Sequence, residues 1–171
     1  MRRSFWQRLD LLARRMSPVL LTLVLVIVNM LPLPLPEFAR VLPVLPLMAV
    51  YHWSIYAPEL MPTSAVFAIG VLFDALSGAP LGVNAVVFLT VYGIVSSQRR
   101  FLFGKSFLIV WLGFAVVAAA AGGLGWTLAS LYYLSPLALE AFAIQGAITI
   151  GMFPLLGWLL SRWQRAMLPE L

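Results

Sequence analysis

Phe67-Ala-Ile-Gly70-Val-Leu-Phe-Asp74-Ala-Leu-Ser-Gly78-Ala-Pro-Leu-Gly82-Val-Asn84 sets a single aspartate in an otherwise apolar run, with Gly70, Asp74, Gly78 and Gly82 spaced four residues apart. In hydrocarbon a carboxylate costs on the order of 3 kcal/mol or more, so Asp74 is expected to face protein or trapped water. Positions four apart stack along one face of a helix, and glycine there admits a second backbone closely. Gly78-Ala-Pro80 then reads as a turn, and Asn84 as a donor to Asp74 across it. The stretch therefore reads as a helical hairpin at the centre of a membrane protein.

The rest of the chain agrees. Of 171 residues 63% are hydrophobic, against 11 Lys/Arg and 6 Asp/Glu. A soluble domain is about a quarter charged. Several apolar runs approach the roughly 20 residues that cross a bilayer. There is no cysteine, which excludes disulfides, thiolate catalysis and cysteine-ligated metal, and one histidine, His52, supports no histidine metal site. The net charge of +5 is concentrated beside apolar segments, which indicates membrane topology and anionic lipid rather than nucleic acid.

In chain order, residues 1–16 carry Arg2, Arg3, Arg8, Arg14 and Arg15, with Phe5, Leu9, Leu12 and Met16 on one helical face. This reads as a cytoplasmic amphipathic segment on the lipid surface, or as a docking face for a cytosolic partner. A transmembrane domain over 17–165 follows, with spans expected near 18–33, 41–56, 63–78, 81–97, 106–134 and 137–160, and a tail over 166–171. The first span lacks a cleavage site and is expected to be retained. Alternating prolines at 32, 34 and 36 favour an extended connection before Glu37 and Arg40. Tyr51, His52, Trp53 and Tyr56 read as an interfacial aromatic belt. Six spans with both termini inside place Arg99, Arg100, Lys105, Arg162 and Arg165 inside, whereas fusing the third and fourth segments would violate the positive-inside rule.

Chemistry is sparsely represented. Asp74 has Glu140, Gln145 and Thr149 as candidate polar neighbours, and Glu140 also suits a helix N-terminus. No hydrolase triad, metalloprotease helix, phosphate loop or dinucleotide fingerprint is present. No catalytic, cofactor or metal residue is assigned. Asp74 reads as structural or interfacial, with a proton or cation site as the alternative. Small-residue spacings at Ala118/Gly122 and Ala121/Gly125 offer helix-packing surfaces, within the bundle or to a partner. Pro154 frees the carbonyl of Ile150, and Thr149 is placed to help satisfy it.

These residues resemble the rod shape-determining MreD family. The likeness is carried by Pro43-x-x-Pro46, Pro58, the Gly70-x-x-x-Asp74-x-x-x-Gly78-x-x-x-Gly82 element, Tyr92, Arg99-Arg100, and Gln145, Thr149 and Pro154. It implies an all-α integral membrane protein of six transmembrane helices, similar in fold to the substrate-binding subunits of ECF-type vitamin transporters. It also implies a non-enzymatic bacterial inner-membrane component of the cell-elongation complex, which maintains shape and directs lateral peptidoglycan synthesis. MreC is the main partner so implied, with MreB, RodA and its class B penicillin-binding partner joined directly or indirectly. Gly70, Asp74, Gly78, Gly82, Asn84, Gly122 and Gly125 are then the candidate partner or packing residues, and Gly70→Leu or Gly122→Leu is expected to weaken co-purification with MreC. The competing reading is a vitamin-like substrate-binding subunit or transporter.

Overall fold

The computed structural model describes residues 5–31 and 42–167, and the side chains from residue 15 onward within the first segment. The expected extended connection with Glu37 and Arg40, the charges of Arg2 and Arg3, and the last residues of the tail lie outside this range. Arg8 and Arg14 lie on described helical backbone only.

Among the described residues the regular elements are all helices: α1 (Phe5–Asn29), α2 (Leu45–Tyr56), a 3-10 turn (Pro58–Leu60), α3 (Thr63–Ser77), α4 (Val83–Ser97), the short α5 (Arg99–Leu102), α6 (Phe107–Tyr132) and α7 (Leu139–Met167). Two of them, α6 and α7, are long and apolar enough to cross a membrane by length and composition. At about 1.5 Å per residue α3 and α4 reach only about 22 Å and α2 about 18 Å, short of a hydrocarbon core of about 30 Å.

α1 runs without a break from the arginine-rich segment into the apolar one, through Pro18. A proline removes one ladder bond; the turn beyond it is reinforced by the Thr22 hydroxyl, which donates to the Pro18 carbonyl at 2.7 Å. The amphipathic segment and the first apolar run are therefore one helix.

α2 sits at the centre, in contact with α1, α4, α6 and α7, and from Pro46 to Ile55 every residue is buried. This corrects the aromatic-belt reading. Tyr51 and Trp53 are fully buried and His52 nearly so. Tyr51 donates to the Val110 carbonyl at 2.9 Å and meets Phe114 and Phe153 edge-on, while Phe114 and Phe153 stack at 4.2 Å. His52 Nε2 lies 3.2 Å from Gln164 Oε1. Aromatic clustering at a helix end looks the same in sequence whether lipid or protein surrounds the helix. A helix enclosed by others can also be short, because its ends meet protein rather than lipid.

The outward surface is apolar, with Leu20, Val24, Ile27, Leu112, Val116, Leu155 and Leu159 all exposed. The polar groups sort to two ends. At one end the Arg99 guanidinium donates to Glu59 at 2.8 Å and Tyr92 donates to the Pro58 carbonyl at 3.2 Å, so the 58–60 turn and α5 share it. The His52–Gln164 contact brings the α7 C-terminus to the same end, with Arg162 over Trp158 and Lys105 over Phe101. At the other end lie the α1 C-terminus, the start of α2, the α3–α4 turn and the α6–α7 connection, around one shared cavity.

Candidate functional site: the Asp74 clamp and the polar ring around it

The sequence builds the α3–α4 hairpin in three steps. Gly78 ends α3 at φ +71°, and Gly82 opens α4 at φ +99°, both in the left-handed region that glycine enters freely. Pro80 sits between them in the turn. Gly70, two turns before the end of α3, lets α4 approach. A Cβ there would collide with the Ala85 Cα and stand 2.8 Å from its nitrogen. α3 and α4 consequently form the most extensive helix pair among the described residues.

That approach delivers the α4 N-terminus to Asp74, which is fully buried. Asp74 Oδ2 accepts from the backbone N–H of Gly82 at 2.9 Å, Asn84 at 3.2 Å and Ala85 at 3.4 Å. Oδ1 accepts from the Asn84 backbone at 3.1 Å and from its side-chain Nδ2 at 2.7 Å. The first N–H groups of a helix lack intrahelical partners and carry the positive end of its dipole. One buried carboxylate thus answers several orphan donors and a favourable field. Both oxygens are committed to protein donors, which leaves no lone-pair face for a transported ion. The geometry is that of a clamp.

The expected glycine series therefore divides. Gly70 alone makes the close helix contact. Gly78 and Gly82 are turn residues with nothing within 4 Å of a notional Cβ, because α3 ends before the repeat does. On α6, Gly125 is buried and would stand 3.8 Å from Val87, whereas Gly122 faces open space within the bundle. Glu140 is exposed in the first turn of α7, apart from the Asp74 hydrogen bonds. Arg15, Arg100, Lys105, Arg162 and Arg165 are exposed and Arg99 half-buried.

Gln145 and Thr149 serve α2 instead of Asp74. Gln145 Nε2 donates to the Leu42 carbonyl at 2.9 Å, and Thr149 Oγ1 accepts from the Val44 N–H at 3.1 Å while donating to the Gln145 carbonyl. Asn29 of α1 accepts from the Leu45 N–H at 2.9 Å. Two helices, α1 and α7, thereby secure the start of α2 inside the bundle. The carbonyl freed by Pro154 is satisfied by Trp111, whose indole N–H reaches Ile150 O at 2.9 Å, in place of the expected Thr149.

Sequence reasoning missed Asn29, Trp111 and Gly113. At Gly113 a Cβ would stand 2.9 Å from the Tyr51 hydroxyl, so this glycine makes room for the Tyr51–Val110 bond. An asparagine near the end of an apolar run was the available signal for Asn29. Nothing in linear order marks the other two. No group of three His, Cys, Asp or Glu that could hold a metal occurs among the described residues.

Over 77 residues the chain is 26% identical to an uncharacterized protein of Rickettsia prowazekii (strain Madrid E), covering 44% of this chain and 43% of that protein. The match thus spans less than half of that relative's length. No solved structure matches. The model of the rod shape-determining protein MreD matches residues 11–167, nearly the whole chain. With an all-helical bundle, an apolar outer surface and a match of that extent, the chain belongs to the rod shape-determining MreD family, membrane components that determine cell shape.

Proposed function

We propose that the protein is a non-enzymatic, six-span inner-membrane scaffold of the cell-elongation complex, with both termini inside, and that it acts by binding MreC. The observation that carries this reading is the family match over residues 11–167. Two structural features support it. The helices alternate in direction, and the exposed arginines and Lys105 gather at one end, as the positive-inside rule asks of a cytoplasmic face. The Asp74 clamp is saturated by its own chain, which suits a fixed frame better than an ion pathway.

Gly70 is occupied within the hairpin, so Gly70→Leu would report on folding rather than on a partner. A shallow apolar groove between α4 and α6 is the better surface to probe. It encloses about 170 Å³ and is bordered by Thr90, Ile94, Val116, Ala120 and Leu124. Small and β-branched residues there suit close packing of a single transmembrane helix. Thr90→Trp and Ala120→Phe are expected to reduce co-purification of MreC at least tenfold from solubilised membranes and to give rounded cells. Unchanged MreC recovery and cell width, at normal expression of both variants, would refute the binding mode.

A further inference from the structure

The end of the bundle opposite the arginine-rich turns holds a cavity of about 550 Å³, within the range of small-molecule sites. Its wall includes three amide side chains from three helices: Asn29 of α1, Asn84 of α4 and Gln145 of α7. Each has one end committed, and the partner fixes which end that is. Asn84 must present Nδ2 to the Asp74 carboxylate, and Gln145 must present Nε2 to the Leu42 carbonyl. Asn29 must present Oδ1 to the Leu45 N–H. Among the described residues the opposite ends, Asn84 Oδ1, Gln145 Oε1 and Asn29 Nδ2, have no hydrogen-bond partner, and none of them is sealed inside protein. The cavity wall therefore offers two acceptors and one two-proton donor of fixed identity.

No charged side chain lines this cavity among the described residues. Asp74 stands behind Asn84 with both oxygens occupied. Among the described residues a phosphate or carboxylate would meet no cation there, and an ammonium no free anion, so the wall suits an uncharged ligand better. Deeper in, a contiguous space of about 60 Å³ shares Val44, Asn84, Gly125, Phe142 and Gln145 with the outer cavity, and adds Leu47, Phe88 and Ala118. That floor is mostly apolar, with Thr149 on its wall.

We propose that this cavity is a binding site for an uncharged, hydroxyl-rich group of the glycosyl class. Its hydroxyls donate to Asn84 Oδ1 and Gln145 Oε1, and one of its oxygens accepts from Asn29 Nδ2. A free glycoside and the neutral headgroup of a glycolipid present the same chemistry. The site is independent of the MreC reading, since its test contains no partner protein.

The test uses the full chain in phosphatidylcholine nanodiscs doped with monoglucosyl diacylglycerol, and reads bound lipid by native mass spectrometry. One saturable adduct per chain is expected, lowered at least tenfold by Ala129→Phe, which fills the cavity from α6, and by Leu76→Trp at its exposed rim. Competition by free methyl β-glucoside would assign recognition to the sugar alone; a saturable adduct without competition would assign it to the glycolipid. Adducts that rise without saturation, match those of phosphatidylcholine, or persist in both variants with native circular dichroism would overturn the proposal.

Discussion

Replacing Asp74 by asparagine keeps the shape of the side chain and removes one acceptor and the charge. The carboxylate takes Gly82, Asn84 and Ala85 N–H on Oδ2, and the Asn84 backbone and Nδ2 on Oδ1. An asparagine has a single oxygen. If that oxygen faces the backbone donors, its NH₂ opposes Asn84 Nδ2; if it faces Asn84, its NH₂ opposes the N–H of Gly82. One buried donor left without an acceptor costs about 1–3 kcal/mol. Losing the negative charge at the α4 N-terminus adds about 0.3–1 kcal/mol. Rotation of the Asn84 amide, which then offers its oxygen, recovers part of this. The expected loss is about 2 kcal/mol, or roughly 30-fold in the unfolding equilibrium, and Asp74→Leu, which removes both oxygens, should cost more. Unfolding in mixed micelles of rising dodecyl sulfate content, followed by circular dichroism, measures it. A cycle with Asn84→Ala should give a coupling of about 0.5–3 kcal/mol. Asp74→Asn within about 0.5 kcal/mol of the parent, or strict additivity with Asn84→Ala, would refute the clamp.

Gly70→Ala forces a methyl into the Ala85 backbone and is expected to destabilise by about 1–3 kcal/mol in the same assay, whereas Gly122→Ala, facing open space, should be neutral or slightly stabilising. Equal effects at the two sites would remove the distinction drawn between them. Trp111→Phe leaves Ile150 O without a partner and should cost about 1–3 kcal/mol. In a Pro154→Ala background the restored backbone N–H serves that carbonyl, so the Trp111→Phe penalty should shrink, and an undiminished penalty would locate the indole's contribution in packing. Glu59 lies in the short 58–60 turn between α2 and α3, and its hydrogen bond from Arg99 holds its pKa below the ordinary 4.5. A depressed carboxylate pKa means that its stabilisation is complete above the unfolded value and fades as pH falls through the folded one. Below about pH 4.5 the parent should therefore lose stability that Glu59→Gln never had, by less than about 1 kcal/mol because the pair is largely exposed. Parallel pH–stability curves for the two proteins would show the pair to be energetically silent.

How much was legible in the linear chain depended on the range of the interaction. Gly70, Asp74, Pro80 and Asn84 lie within one hairpin, so the turn and the Asn84–Asp74 bond follow from spacing and chemistry close to each other in sequence. The family likeness rests on the same stretch, and the match over residues 11–167 agrees with it. The assignment of Gly78 and Gly82 to a packing face extended the four-residue repeat past the point where the backbone leaves the helix. Positive φ at both residues shows that the repeat ends at the turn that Gly78-Ala-Pro80 marks.

By itself, then, the sequence determined that this is an all-helical membrane chain and that Asp74 must find partners near the α3–α4 turn. Hydropathy and local turn chemistry act along the chain and need no knowledge of distant residues. The tertiary structure alone decided that α2 is the buried centre rather than a lipid-facing span with an aromatic rim. It also decided that Gln145, Thr149 and Asn29 serve the start of α2 and that Trp111 answers the proline-freed carbonyl of Ile150. Those pairings join residues as far apart as 105 positions. Which apolar face meets lipid and which meets protein is set by the order of helices around α2, and hydrophobicity reads the same on both.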